Sequence, residues 1–278
     1  MTRISSQNLR NAAAFVAAMA FCPPALADTC RPEKLETARD AVANERLELE
    51  CSDGRVIRLA GVESPLVRRA ASAAMQAAAE DLTLWTSSPI SVAILKDQPD
   101  RWGRKEGRAF IAEKGFAPDL LPSLSEAIID AGLARVDPAT ETRPCLDRLY
   151  GAEQRARVAR RGLWADMDFA VLDARKPDGF KAQAGAVVVI EGRVASVRAG
   201  RGVTFVNFGG NLGDWSPQGA ALTLGREAIR AMQREGLEPA SLTGRTIRAR
   251  GVLDLRGGPR IEVAGPGAIE VLAGSADR

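Results

Sequence analysis

The sequence predicts a mainly β chain with packed helices, an α+β protein built as two successive small domains. Three observations lead there. Asp53-Gly54 separates two segments, Leu47–Glu50 and Val56–Ala60, the first of alternating polarity and the second a largely apolar run, which is the pattern of an antiparallel hairpin. Between residues 66 and 161 apolar side chains recur at helical spacing, with short strand-like runs between the helices. From residue 185 onward, five strand-like segments carry one helix between the third and fourth, the order of an OB-type barrel.

Residues 1–27 read as a leader: Arg3 and Arg10 precede the apolar run Ala12–Phe21, and Ala25-Leu26-Ala27 forms a cleavage pattern. The run is too short for a membrane span, so the expectation is export to the periplasm or outside the cell, with no span in the mature chain. Losing Arg3 and Arg10 takes the formal net charge from +3 to +1, so binding to nucleic acid would need a local basic patch. Cys30, Cys51 and Cys145 remain, and in an oxidising compartment one pair and one leftover thiol are expected. Cys30–Cys145, tying the mature N-terminus to a late helix, is the expected bridge, with Cys30–Cys51 the alternative.

The first domain is expected over 28–166. After the hairpin, Leu66–Trp85 has Val67, Ala70, Ala74 and Leu82 spaced for a helix on a sheet. Ile90–Leu95 and Arg108–Ala112 read as strands flanking the polar turn 97–107. Leu120–Ala131 is a helix capped by Ser123 or Ser125 and stopped by Gly132. Ala134–Val136 is a short strand, and Cys145–Arg161 a helix ended by Gly162, whose Arg155, Arg157, Arg160 and Arg161 form a solvated face. Residues 167–184, broken by Asp173, Pro177 and Gly179, read as a linker. The second domain, 185–278, offers Phe205, Phe208 and Trp215 for stacking, two of them expected in its core.

Histidine is absent from the chain, which removes His-dependent nucleophilic catalysis and His-ligated zinc. Any metal should be hard and oxygen-ligated, such as Ca²⁺. Arg58 interrupts an apolar strand, and there it either snorkels from a barrel wall or points into an anion site. Glu63, in the loop closed by Ser64-Pro65, would give such a corner a carboxylate.

These residues resemble the staphylococcal-type thermonuclease family. The likeness rests on Leu47–Leu49, DGRVIRLAGVESP at 53–65, DRWGR at 100–104 and RRGLW at 160–164, in the family's order. It implies an OB-fold barrel with packed helices for the first domain, and for the second a small OB-like module such as some exported bacterial relatives carry. It also implies Ca²⁺-dependent hydrolysis of phosphodiester bonds in DNA or RNA, chemistry that needs guanidinium forks on a phosphate and fixed positive charge. Arg58 and Arg104 match the family's phosphate-binding arginines. Glu63 and Glu45 fall where the family has metal-binding aspartates, and Ser64 where a carbonyl reaches the metal.

Two departures qualify that reading. Leu66 stands where the family has its glutamate, and 43–46, Ala43-Asn44-Glu45-Arg46, keeps one carboxylate of two. The expectation is therefore a thermonuclease-like protein that acts on or binds nucleic acid with weak or lost cleavage and weakened or absent Ca²⁺. The alternatives are a fully active Ca²⁺-dependent nuclease and an envelope structural or protein-interaction module.

Overall fold

The computed structural model of the chain describes residues 30, 34–64, 88–111, 123–176, 179–209 and 219–272. The expected leader, the helix expected over 66–85, Leu66 and Trp215 lie outside the described residues. The first sheet contains β1 (Glu36–Ala38), β2 (Val42–Ala43), β3 (Leu49–Glu50), β4 (Val56–Leu59), β6 (Ile90–Lys96) and β7 (Arg104–Ile111), in the order β1-β6-β7-β4-β3-β2. The hairpin forms as expected: Leu49 lies opposite Ile57, and Gly54, at φ +83°, takes the left-handed turn position. β1 and β2 are halves of one bent segment that pairs with β6 at one end of the sheet and β3 at the other. One segment touching both edges curls the sheet toward a barrel. β5 (Val62–Glu63) pairs separately with β8 (Arg135–Val136).

Among the described residues two α-helices cover this sheet, α1 (Leu124–Asp130) and α2 (Arg143–Val158). Of the two candidate caps, Ser123 accepts the Glu126 amide, whereas the buried Ser125 hydroxyl donates to the Ala60 carbonyl at 2.9 Å. Leu124, Ile128 and Ile129 of α1 join Leu146, Leu149 and Ala152 of α2 in one core with Leu49, Ile57 and Leu59. The Cys30–Cys145 bridge is present, with Cys51 a buried free thiol. It closes a separation of 115 residues, so reduction should lower stability by about 2–4 kcal/mol, read as an earlier urea midpoint under thiol. The arginines in the last turn of α2 and just beyond it are not simply solvated: Arg155 and Arg161 both reach Asp130, at 2.7 and 2.6 Å.

The second sheet contains β9 (Leu172–Asp173), β10 (Val187–Arg193), β11 (Ser196–Ala199), β12 (Val203–Asn207), β13 (Ala221–Gly225), β14 (Thr246–Asp254), β15 (Arg260–Val263) and β16 (Ile269–Val271). Its order is β11-β12-β13-β15-β14-β10-β9, with β16 on β14. β10 and β11 are again one bent strand: the Val194 amide donates to Arg245 beside β14, and the next amide, Ala195, to Asn207 of β12. The strand thus joins both ends of the sheet. With β13 parallel to β15 and α3 (Arg226–Arg234) between β13 and β14, this curled sheet fits an OB-like fold. The first sheet shows the same scheme, with β4 parallel to β7.

The described residues of 167–184 are folded onto the second sheet rather than hanging between units. β9 adds parallel to β10, and Ala174 and Phe180 are 0% and 1% exposed in the second core. Pro and Gly broke the sequence period here, but apolar side chains still found a buried surface. Where the two halves meet, Ala156, Leu163, Trp164 and Val189 form a separate apolar cluster. Beside it Arg250 of β14 forks onto Glu153 of α2 at 2.9 and 3.0 Å, both side chains 2% exposed. The Tyr150 hydroxyl donates to the Gly267 carbonyl, and a Cβ on Gly267 would stand 2.6 Å from the Leu146 Cδ1, so a larger residue there would push that side chain aside.

Candidate functional site

The parallel register of β4 and β7 sets Arg104 beside Val56, two residues before Arg58, so both arginines leave the same face of the sheet. They open into a cavity of about 380 Å³ lined by Arg46, Leu47, Glu48, Arg58, Leu59, Val62, Glu63, Ser64, Trp102 and Arg104. Of the residues the sequence proposed, Arg58, Arg104, Glu63 and Ser64 are brought together. Glu45 is exposed on the preceding turn and outside that lining; Glu48 supplies the carboxylate from this segment instead.

Glu48 is placed by its turn. The Asn44 side-chain oxygen accepts the amides of Arg46 and Glu48 at 2.9 and 3.0 Å, and its amide nitrogen donates to Glu48 Oε2 at 3.2 Å. Leu47, at φ 60°, completes the bend. Glu48 Oε1 then accepts from Arg104 Nη1 at 2.5 Å. Alternation in Leu47–Glu50 had pointed both glutamates outward; Glu48 is 7% exposed because the sheet curls over it.

Each arginine is held by carboxylates of this chain. Arg104 donates through Nε and Nη2 to Asp100 Oδ2 at 2.8 and 2.7 Å, and this hydrogen bonding brings the Asp100 carboxyl down to about 2. Arg58 Nη2 meets Asp137 Oδ2 at 2.6 Å. Asp137 arrives because β8 pairs with β5, after which its amide donates to Gly61. Nothing local in the sequence marks Asp137 or Glu48 as neighbours of these arginines. Two further carboxylates are engaged elsewhere: Glu141 pairs with Arg108 at 2.7 Å and Asp40 accepts from Ser52 at 3.0 Å.

Trp102 forms the rim, 59% exposed, with the Arg101 and Arg104 guanidiniums 3.9 and 4.6 Å from its ring centroid. An exposed indole over fixed guanidiniums is a platform for a flat, electron-rich ring.

A hard divalent cation takes about six to eight oxygen ligands, several of them carboxylate. Among the described residues no group of three or more His, Cys, Asp or Glu stands where it could hold a metal ion. Glu48 is engaged by Arg104, and Glu63 and Ser64 are the other described lining residues with carboxylate or hydroxyl oxygen. Among the described residues that set falls short of a calcium site. The chemistry the pocket does offer is anion recognition by three guanidiniums beside a stacking ring.

Among curated proteins, no relative matches the chain. Residues 56–166 match the family model described as staphylococcal nuclease homologue. The segment that carries Arg58, Glu63, Ser64, Trp102 and Arg104 into one pocket is therefore a staphylococcal-nuclease-homologue domain.

Proposed function

We propose that this pocket binds a phosphodiester of single-stranded nucleic acid and cleaves it weakly or not at all. The observation that carries the reading is the convergence of Arg46, Arg58 and Arg104 on one cavity with Trp102 at its rim. Guanidinium forks match phosphate oxygens, and an exposed aromatic ring takes the neighbouring base. Cleavage needs more: a group that takes a proton from water, and charge fixed where the transition state develops it. Position 66 is leucine, and Asp137, Glu48 and Asp100 already neutralise the two arginines best placed to help. Relatives depend on Ca²⁺ in general, and the weak donor set here supports reduced dependence or none. Export of the mature chain from Asp28 to the periplasm or beyond remains part of this proposal.

The test is binding and cleavage of a labelled single-stranded DNA and RNA by the purified mature chain, with Ca²⁺ against EDTA. Binding in EDTA that falls at least tenfold in Arg104→Ala, with slow cleavage or none, is the expected result. Fast Ca²⁺-dependent cleavage that disappears in Arg58→Ala would replace this reading with a true nuclease. A companion variant, Asp137→Asn, should release Arg58 and tighten phosphate binding up to about fivefold, since the pair is partly exposed. Unchanged affinity there would mean that Arg58 does not reach the ligand.

A further inference from the structure

The second barrel carries a basic face outside the staphylococcal-nuclease-homologue segment. The strand register sets Arg198 of β11, Phe205 of β12 and Thr223 of β13 in one row. Thr204 and Val206 are buried, so the alternation sends Phe205 outward, where it is 36% exposed. The turn after β11 carries Arg201 at its tip, and it is thin because residues 200 and 202 are glycine. A Cβ on Gly200 would lie 3.6 Å from Phe205 Cε2, and one on Gly202 3.3 Å from Arg226 Nε. The same turn thus packs the Phe205 ring at Gly200 and the Arg226 guanidinium at Gly202.

From there the charge continues along α3. Arg226, Arg230 and Arg234 recur every four residues and share one exposed side of the helix. A shallow concavity lies there, lined by Glu227, Arg230, Gln233 and Arg234. Among the described residues Arg198, Arg201 and Arg226 take part in no ion pair, in contrast to Arg58, Arg104 and Arg108 of the first unit. Glu262 lies in the row of Arg198, Phe205 and Thr223, Glu227 and Glu235 flank the arginines of the helix, and Glu238 accepts from Gln233 at 3.2 Å. Acidic groups thus gather toward the end of α3, and the turn end with Arg198, Arg201 and Arg226 is the more basic.

We propose that this face is a second single-strand nucleic-acid site, with Phe205 stacking a base and Arg198, Arg201, Arg226 and Arg230 on the phosphates. The whole chain is close to neutral, so this positive potential is local and belongs to the patch. A ring flanked by unengaged guanidiniums suits a strand whose bases are splayed out, and not a duplex, whose bases are stacked inside. In an OB barrel the second and third strands and the first turn form the usual docking face, and β12, β13 and the Gly200–Gly202 turn occupy those places. The inference shares its ligand class with the first pocket, but it requires neither metal nor cleavage.

The experiment uses the full mature chain in EDTA, with a fluorescein-labelled oligo-dT followed by anisotropy over a salt series. Phe205→Ala should weaken binding roughly 5- to 150-fold. Arg226→Gln with Arg230→Gln should lower the slope of log affinity against log salt by about 1.4, which is about 0.7 for each phosphate no longer neutralised. Both changes should persist in a background of Arg58→Ala with Arg104→Ala, which silences the first pocket alone. If affinity is lost only in that background, the first-pocket reading stands and the second site is overturned. If Phe205→Ala has no effect while inorganic polyphosphate competes as well as DNA, the face is a general anion patch and the nucleic-acid assignment is overturned. These side chains are exposed, so an unchanged melting temperature separates lost binding from lost fold.

Discussion

Arg250→Ala is expected to destabilise the chain by about 3–5 kcal/mol, measured as a drop in the urea midpoint at pH 7. The guanidinium is 2% exposed, forks onto Glu153 and reaches Glu270 Oε1 at 2.5 Å. It also stands 4.4 Å over the Tyr150 ring. Truncation leaves Glu153 buried with the Val136 amide at 3.0 Å and no guanidinium against it. Burial by itself pushes the Glu153 carboxyl up, but the charge and hydrogen bonds of Arg250 hold it below the ordinary value. A depressed folded value means the stabilisation is full above the unfolded value of about 4.3 and is lost as pH falls through the folded one. In Arg250→Ala only the Val136 amide and the charge of Arg135 still oppose desolvation, so the carboxyl rises and the sign of the pH dependence is expected to reverse. The variant should be weakest near neutral pH and lose less on acidification toward pH 4. Joint replacement by Arg250→Met and Glu153→Leu should recover most of the loss, because both buried charges leave together. A loss under 1 kcal/mol in Arg250→Ala would show that water reaches this junction.

Leu66→Glu should raise single-strand cleavage by about 10²–10⁴-fold, the usual contribution of a positioned general base. The position follows Pro65, three residues after Glu63, in a domain where Arg58, Arg104 and Glu63 line one cavity. A leucine cannot take a proton from water, whereas a glutamate restores a titratable group at the position where the family carries one. The gain should vanish when Arg58→Ala is added, because the base takes a proton from a water that attacks the phosphate, and that phosphate would need the arginine to hold it. A folded Leu66→Glu chain no faster than the native one would move the deficiency to the carboxylates on Arg58 and Arg104. Combining it with Asp137→Asn then becomes the decisive variant.

Much of this was legible in the chain itself. The Asp53-Gly54 hairpin, the Ser123 cap, the stop at Gly132 and the OB order of the second unit come from short-range steric rules, and those act within a few residues. Arg58 and Arg104 were found through motifs, and the parallel pairing of β4 with β7 supplies the reason they converge. Glu48 and Asp137 were not legible. Alternation sent Glu48 outward, and Asp137 reads as an ordinary residue before a proline; curling of the first sheet and the β5–β8 pairing carried them to the arginines.

The sequence by itself determined most of the described elements and the chemistry available at each position, because these follow from residue type and local spacing; it left Cys30–Cys145 and Cys30–Cys51 both open, and the tertiary structure chose the first. Only the tertiary structure decided which carboxylate meets which arginine. It also decided that 167–184 packs as part of the second unit and that Arg250 locks against Glu153. Charge pairing acts through space over a few ångströms, and residues 79 or 97 positions apart reach that distance only when the sheets close.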